Sequence, residues 1–109
     1  QIQNLILFTY YNTAVNRLYY ASFYAVQALL FTIDIKPKTH SGILNMFSLH
    51  FVKQGKIPVE LSDFYATIYH HRNLADYFDI DEYDKETVEI MYSSAKNFIE
   101  FIDALIFIK

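Results

Sequence analysis

Residues 61–78 read LSDFYATIYHHRNLADYF and predict an amphipathic helix that carries a cation on its apolar face. Since an α-helix turns by about 100° per residue, residues spaced by three and four share one face. The apolar members of this face are Leu61, Phe64, Ile68 and Ala75. Arg72 falls on the same face, and Asp76 lies one turn further along its edge. Because burying an unpaired guanidinium is costly, Arg72 requires a carboxylate, a partner chain or a ligand.

The composition favours one helical domain. The chain has 109 residues, which suit a single domain with one core, and we treat residues 1–109 as that domain. Two glycines and two prolines provide little material for tight turns, which favours long helices over a β fold. Hydrophobic residues make up 53% of the chain, so we expect part of its apolar surface to be buried against another chain.

The sequence also carries information on cellular location. Cysteine is absent, which excludes disulfides and thiolate chemistry and fits a reducing cytosol. The chain has no run of the roughly 18–20 apolar residues that span a bilayer, and no signal peptide is visible. We therefore expect a cytoplasmic protein with no membrane partner. Because the chain starts at Gln1 without a methionine, we also expect its first helix to be truncated.

Four breaks, at 8–12, 35–39, 55–58 and 79–85, divide the chain into segments with helical periodicity. The predicted helices cover about 1–8, 12–33, 40–54, 60–78 and 85–108. Residues that can stabilise helix starts are Asn12 or Thr13 for the second helix, Thr39 or Ser41 for the third, and Glu86 with Glu89 for the fifth. The predicted fold is all-α, an antiparallel helical bundle of about five helices.

The second predicted helix is apolar on most of its circumference, which is typical of a central helix. It nevertheless carries a polar and aromatic stripe formed by Thr13, Asn16, Arg17, Tyr20, Tyr24 and Gln27. Such a stripe needs a cleft, a partner or an internal network, unless it meets solvent at the edge of the bundle. Arg17 and Arg72 are the only arginines in the chain. A planar, bidentate arginine is harder to replace by lysine than a simple positive charge is.

The last predicted helix has two apolar rows. One row follows a heptad spacing and consists of Val88, Met91, Ala95, Phe98, Ile102 and Leu105. The other row consists of Ile90, Phe101 and Ile108. One row can pack on the bundle, which leaves the other for a partner helix. Together with the apolar composition, this pattern predicts a homodimer.

Charge is segregated along the chain. Lys36, Lys38, Lys53 and Lys56 lie between residues 35 and 59, where no acid occurs, and seven acids lie between residues 76 and 89. These segments are either two solvated loops, or a basic patch that attracts phosphates beside an acidic segment that repels them. Metal binding is not predicted, because the adjacent His70 and His71 point about 100° apart on a helix. We expect no metal and no cofactor.

Three blocks of sequence resemble one known family. Residues 16–25 read NRLYYASFYA, residues 38–42 read KTHSG, and residues 72–77 read RNLADY. In this order they resemble the signature elements of the HEPN family (higher eukaryotes and prokaryotes nucleotide-binding), in particular its small stand-alone prokaryotic members. The resemblance implies a bundle like the substrate-binding domain of nucleotidyltransferases. It also implies a homodimer, often paired with a small nucleotidyltransferase as a toxin–antitoxin system.

The resemblance further implies that the site binds nucleotide or RNA. The residues expected to do so are Arg17, Tyr20, Lys38, His40, Arg72 and Asp76. Catalytic family members are metal-independent RNases with a histidine four to six residues after the arginine. Here those positions hold Tyr77, Phe78 and Asp79, and Tyr24 stands where the second-helix signature has a histidine. Arg72 and Tyr77 are therefore the catalytic candidates, and RNase activity is left open.

A non-catalytic function is the alternative. In that case the protein is a helical homodimer that acts as an interaction or scaffold module, and both arginines are structural anchors of ion pairs. The two functions predict different surroundings for Arg72. An Arg72 that lines an open cleft favours binding, whereas an Arg72–Asp76 pair sealed in the core favours the scaffold.

Overall fold

The structure, a computed structural model, describes residues 2–74 and 83–107. Within these residues the chain forms four α-helices and no strand: α1 (Ile2–Phe31), α2 (His40–Phe47), α3 (Val59–Leu74) and α4 (Lys85–Phe107). A π-helical turn over Ser48–Val52 continues α2. The prediction of an all-α bundle is confirmed. α1 contacts each of the other three helices, so it is the central helix that its apolar circumference predicts.

The predicted break between the first two helices is wrong, because α1 runs without interruption from Ile2 to Phe31 and includes residues 8–12. The connecting segment contains neither glycine nor proline. Its polar side chains bond back to the helix itself: Thr9 Oγ1 donates to the Leu5 carbonyl at 2.9 Å and Asn12 Nδ2 to the Phe8 carbonyl at 3.1 Å. Asn12 and Thr13 therefore lie inside α1 and do not cap a helix.

The start of α2 agrees with one of the two predicted caps. Thr39 is the N-cap residue, and its side-chain oxygen accepts a 2.9 Å hydrogen bond from the backbone N–H of Gly42. The predicted helix 40–54 is helical as far as Val52, but its last turn is wider than an α-helix. There the backbone N–H of Lys53 donates to the Ser48 carbonyl, five residues earlier, at 2.8 Å.

Aromatic rings fill the centre of the bundle. Tyr65 of α3 and Phe98 of α4 are fully buried and stack with centroids 5.4 Å apart. The Phe47 ring meets both of them edge-on, at 5.5 and 6.0 Å. Burying one such side chain contributes about 1.5–3 kcal/mol. Burial raises the pKa of the Tyr65 hydroxyl, and Tyr19 and Tyr69 raise it further, so this hydroxyl stays neutral.

The predicted faces of the last two helices are largely confirmed. On α3, Ile68 is buried while Leu61 and Phe64 pack against the core; Ala75 lies outside the described residues. On α4, the heptad row holds the buried residues Ala95, Phe98 and Ile102. The second row of α4 is split, because Ile90 is 60% exposed whereas Phe101 packs on the core. Because α4 packs against both α1 and α3, it needs apolar side chains on more of its circumference than one row provides. Ile108 lies outside the described residues.

The first three turns of α1 are apolar and exposed. Ile2, Leu5 and Ile6 have exposed fractions of 78%, 64% and 60%. The core begins only at Val15, the first buried residue of α1. The described residues contain no helix that is long and apolar enough to cross a membrane.

Candidate functional site

A polar pocket opens between α1 and α3. Its volume is about 300 Å³. Its lining consists of Asn12, Thr13, Val15 and Asn16 from α1, His71 and Arg72 from the last turn of α3, and Tyr83 just before α4. The pocket forms because α3 ends beside the first half of α1, which brings polar residues of both helices together. We refer to it as the Arg72 pocket.

Arg72 is half-buried at the wall of this pocket. Its Nη2 donates a long hydrogen bond of 3.4 Å to the Tyr20 hydroxyl. The guanidinium carbon lies 5.6 Å from the centroid of the Tyr20 ring, within the range of a cation–π contact. Tyr20 therefore orients the guanidinium from α1. Sequence reasoning predicted both residues, and the structure brings them together.

The Asn16 side chain also lines the pocket, and its Oδ1 atom is buried. This oxygen has no hydrogen-bond partner in the described part of the chain. Leaving a buried acceptor unsatisfied costs about 1–3 kcal/mol, so Asn16 favours a donor group in the pocket. Because the two ends of an amide are assigned and not observed, the same site can present Nδ2 to an acceptor. Asn16 can thus serve a ligand that carries both hydroxyl and anionic oxygens.

His40, the first residue of α2, packs against aromatic side chains of α1. Its Nδ1 shares a 2.7 Å hydrogen bond with the hydroxyl of Tyr19, which is fully buried. Its ring stacks on Phe23 with centroids 4.2 Å apart and an interplanar angle of 15°, and it meets the Tyr20 ring edge-on at 5.8 Å. These contacts give His40 a structural role in joining α2 to α1. Its predicted role in ligand binding stays a prediction.

Arg17 lies on a different surface from Arg72. It is exposed and lines a second pocket, of about 540 Å³, between α1 and α4. Tyr10, Tyr92 and Glu89 line the same second pocket. Because consecutive residues of a helix diverge by about 100°, Asn16 and Arg17 project from different sides of α1 and line different pockets. The predicted polar stripe is therefore divided between two pockets.

The remaining predicted site residues are distributed as follows. Lys38 is exposed in the connection before α2. Asp76 and Tyr77 lie outside the described residues, and so does the Arg72–Asp76 pair that would favour the scaffold. Lys36, Lys53 and Lys56 are exposed, and Lys36 Nζ lies 3.3 Å from Asp34 Oδ1. In the ranges 2–74 and 83–107, no group of three His, Asp or Glu side chains could hold a metal ion.

Sequence reasoning missed His71 as a site residue. Consecutive residues of a helix diverge by about 100°, so periodicity does not by itself bring His71 and Arg72 together. The structure nevertheless places both residues in the lining of the Arg72 pocket. Adjacent Cα atoms are only about 3.8 Å apart, and a broad pocket receives side chains from a wide sector of a helix. Only the shape of the groove between α1 and α3 reveals this, and no sequence signal could have done so.

Comparison with known proteins assigns the family. A family model described as the HEPN domain matches residues 2–105, which is nearly the whole chain. The chain belongs to the HEPN family. The resemblance of the three sequence blocks is thereby confirmed, and all three blocks fall within the matched range.

Several relatives of this HEPN protein come from bacteria and archaea. A UPF0332 protein of Thermotoga maritima is 41% identical over 95 residues, which are 87% of this chain and 72% of that protein. A Methanocaldococcus jannaschii protein named "Putative toxin" is 40% identical over 89% of this chain and 66% of its own length. A second protein with that name from the same organism is 37% identical, over 84% of this chain and 68% of its own. The chain thus spans about two thirds of the length of these relatives. No solved structure matches the chain.

Proposed function

We propose that this HEPN protein binds a phosphate group of a nucleotide or an RNA in the Arg72 pocket. The observation that carries the proposal is the half-buried Arg72, which Tyr20 orients at the wall of an open polar pocket. A planar guanidinium binds phosphate oxygens in pairs, with a geometry that lysine lacks. An arginine that served only as a core anchor would not line an open pocket.

The rest of the lining supports an anionic ligand. The pocket presents the amides of Asn12 and Asn16 and the hydroxyl of Thr13. No carboxylate is among its lining residues in the described part of the chain. We assign Asp76 and Tyr77, which follow α3 in the sequence, their predicted roles, Asp76 in binding and Tyr77, together with Arg72, in any cleavage of RNA.

The biological setting that we propose is a toxin–antitoxin type pair in the cytoplasm, with a small nucleotidyltransferase as partner. The names of the Methanocaldococcus relatives support the toxin part of this proposal. The exposed apolar start of α1 supports contact with another chain, either the partner or a second copy. The same surface favours the alternative function, a scaffold dimer that binds no phosphate.

Binding experiments on Arg72 separate the two functions. We would measure the affinity of a labelled single-stranded RNA by fluorescence anisotropy and of ATP by calorimetry. Arg72→Ala should weaken binding at least tenfold, which corresponds to about 1.4 kcal/mol. Arg72→Lys should weaken it less, because the charge remains while the planar group is lost. Lys96→Ala, a loss of one positive charge on the exposed surface of α4, should have no effect.

The outcomes are easily told apart. A folded Arg72→Ala variant that binds both probes like the parent would replace the proposed function with the scaffold alternative. Binding of ATP alone, or of RNA alone, identifies the source of the phosphate. Arg17→Ala tests the second pocket, and a loss of RNA affinity there would show that RNA contacts both sides of α1.

The exposed lysines add a second test. If Lys36, Lys38, Lys53 and Lys56 attract the RNA backbone, each phosphate contact contributes about one unit to the slope of log affinity against log salt. We expect the slope to decrease when Lys38 and Lys53 are both replaced by glutamine. An RNA affinity that does not change with salt would remove the lysines from the binding surface.

A further inference from the structure

The side of α1 that faces away from the core carries almost no charge. α1 has 30 residues, and Arg17 is the only charged residue among them. On this side, residues spaced alternately by four and by three form one stripe, which consists of Tyr10, Ala14, Arg17, Ala21, Tyr24, Ala28 and Phe31. At about 100° per residue, the stripe points away from the buried side of the helix, where Val15, Tyr19 and Val26 lie. We refer to it as the outer stripe.

The outer stripe is open to solvent. The Tyr10, Tyr24 and Phe31 side chains are 65%, 59% and 57% exposed, and Arg17 is exposed as well. A helix whose outer side faces only water normally carries polar and charged residues there. Alternate spacings of three and four, sustained over roughly 30 Å at about 1.5 Å per residue, are typical of a helix that packs lengthwise on another helix. The stripe therefore has the pattern of a contact surface.

One part of the outer stripe borders the second pocket. Tyr10, Ala14 and Arg17 form its α1 wall, and Val88 and Tyr92 are among the residues of its α4 wall. With a volume of about 540 Å³, this pocket provides a recess for side chains of a helix that lies along α1. The small side chain of Ala14 lets the backbone of such a helix approach α1 closely, because the distance between packed helices depends on the side chains at their contact.

We propose that the outer stripe binds an amphipathic helix of another protein, and that this helix has an apolar face with a carboxylate opposite Arg17. Within residues 2–74 and 83–107, Arg17 forms no ion pair, and Glu89 Oε1 of the same pocket lies 3.9 Å from Lys85 Nζ. Covering the stripe removes water from the guanidinium of Arg17, which is costly unless a carboxylate takes the place of the water. A carboxylate can accept two parallel hydrogen bonds from a guanidinium.

A second copy of the chain and an RNA fit the outer stripe less well. Because α1 contains no acid, pairing of two outer stripes would bury two arginines and supply no carboxylate to either. RNA affinity depends on several cations that contact phosphates, and the stripe offers one. Glu89 at the edge of the stripe also repels phosphate. The proposed partner helix does not depend on phosphate binding at Arg72, because the Arg72 pocket lies on a different side of α1.

The experiment uses a displayed library of helical peptides of about four heptads, randomised along one face and otherwise polar and helix-favouring. The library is selected against the parent protein, with Arg17→Glu for counter-selection. The selected peptides should carry apolar residues along the randomised face and become enriched in aspartate or glutamate at one central position. Exchanging that acid for lysine should weaken binding to the parent and restore binding to Arg17→Glu.

Anisotropy titrations of a selected peptide then test the surface, and circular dichroism verifies that each variant is folded. Arg17→Ala should weaken binding at least tenfold, as expected for a charged residue at the centre of an interface. Ala21→Glu places a bulky acid in the middle of the outer stripe and should abolish binding. Ala104→Glu is the matched control, the same substitution at an exposed alanine of α4, and it should change the affinity less than about threefold.

Contrary results assign the outer stripe differently. A library that yields no peptide above the level of an unrelated protein, or peptides without the central acid, would overturn the proposal. Peptides that bind Arg17→Glu like the parent would do the same. A dimer of the parent that Ala21→Glu dissociates would assign the stripe to a second copy, and an RNA affinity that Arg17→Ala abolishes, with peptide binding unchanged, would assign it to RNA. Arg72→Ala should leave peptide binding intact, so failure of the phosphate site and failure of the helix site are separate results.

Discussion

Tyr19 Oη and His40 Nδ1 lie 2.7 Å apart and share a hydrogen bond that joins the first turn of α2 to the buried side of α1. The neighbouring residue, Tyr20, receives the hydrogen bond from Arg72 of α3. The hydrogen bonds of two adjacent tyrosines in the block 16–25 therefore reach His40 of the block 38–42 and Arg72 of the block 72–77. The three sequence blocks that identify the family form one connected cluster, which positions the Arg72 pocket.

The first prediction concerns the Tyr19–His40 hydrogen bond. Tyr19→Phe keeps the ring and removes the hydroxyl, which leaves the half-buried His40 Nδ1 without this partner. We expect the free energy of unfolding to fall by about 1–3 kcal/mol, the cost of an unsatisfied polar group. Urea denaturation followed by circular dichroism measures the change. Tyr24→Phe, on an exposed tyrosine of the same helix, should change stability by less than about 0.5 kcal/mol. Equal stabilities for the two variants would show that the bond contributes nothing.

The second prediction concerns the contact of Tyr20 with Arg72. Tyr20→Phe keeps the cation–π surface and removes the acceptor that orients the guanidinium. The hydrogen bond is long, at 3.4 Å, so we expect only a small loss of stability, about 0.5 kcal/mol. RNA affinity should decrease severalfold, because the guanidinium is no longer fixed at the pocket wall. Anisotropy titrations measure the affinity, and a Tyr20→Phe variant with parental affinity would show that Tyr20 does not position Arg72.

Sequence reasoning predicted most of the helices because their apolar spacing is regular, and it identified Arg72 and Tyr20 through the same periodicity. It failed where local signals compete with tertiary context. The polar residues Thr9 and Asn12 resemble a break, but their bonds to carbonyls four residues earlier keep α1 continuous. His71 could not be predicted, since a pocket between two helices depends on how they pack. At the start of α4, Asp84 caps the helix, which sequence reasoning did not propose, while Glu86 lies in the first turn as expected.

The third prediction concerns Gly42, which lies in the first turn of α2. A Cβ atom added there would lie 2.8 Å from Thr39 Oγ1, the oxygen that caps the helix, and 3.2 Å from Pro37 Cβ. Gly42→Ala should therefore displace the cap and lower stability by about 1 kcal/mol, the usual value of an N-cap. In a Thr39→Ala background the oxygen is gone, so the same substitution should cost less. A double-mutant cycle from urea denaturation tests this. Additive effects of the two changes would mean that the Cβ does not act through the cap.

The fourth prediction concerns pH. The Thr87 backbone N–H donates to Asp84 Oδ1 at 2.7 Å, and this bond, with a further contribution from the Thr87 side chain, holds the pKa of Asp84 below its ordinary value. A carboxyl whose pKa is lower in the folded state stabilises the fold above its unfolded pKa, and this contribution is lost as pH falls through the folded pKa. Asp84→Asn should thus be less stable than the parent at pH 7.

The difference between Asp84→Asn and the parent should shrink as the pH falls below the ordinary aspartate pKa of about 4. Thermal unfolding at a series of pH values measures it. Glu86→Gln removes one negative charge from the same turn and serves as the control for charge alone. The stability difference between Asp84→Asn and the parent could instead stay constant from neutral to acid pH. That result would contradict the role assigned to the hydrogen bond from Thr87.

The fifth prediction concerns the exposed apolar start of α1. Six apolar residues of this segment, Ile2, Leu5, Ile6, Leu7, Phe8 and Tyr10, are at least 40% exposed. A contiguous apolar surface of this kind on a small domain favours association with another chain. We expect the protein to sediment as a dimer at micromolar concentration. The double change Leu5→Ser and Ile6→Ser should convert it to a monomer without unfolding it, because neither side chain belongs to the core.

Ile90→Ser provides the matched control for that surface. Ile90 is 60% exposed on α4, in the row that sequence reasoning assigned to a partner helix. If α1 provides the interface, Ile90→Ser should leave the sedimentation coefficient unchanged. If α4 provides the interface, Ile90→Ser should produce a monomer, and the double change in α1 should leave the dimer intact. A parent that sediments only as a monomer at micromolar concentration would rule out a stable homodimer, and the exposed start of α1 would then be assigned to a partner of different sequence.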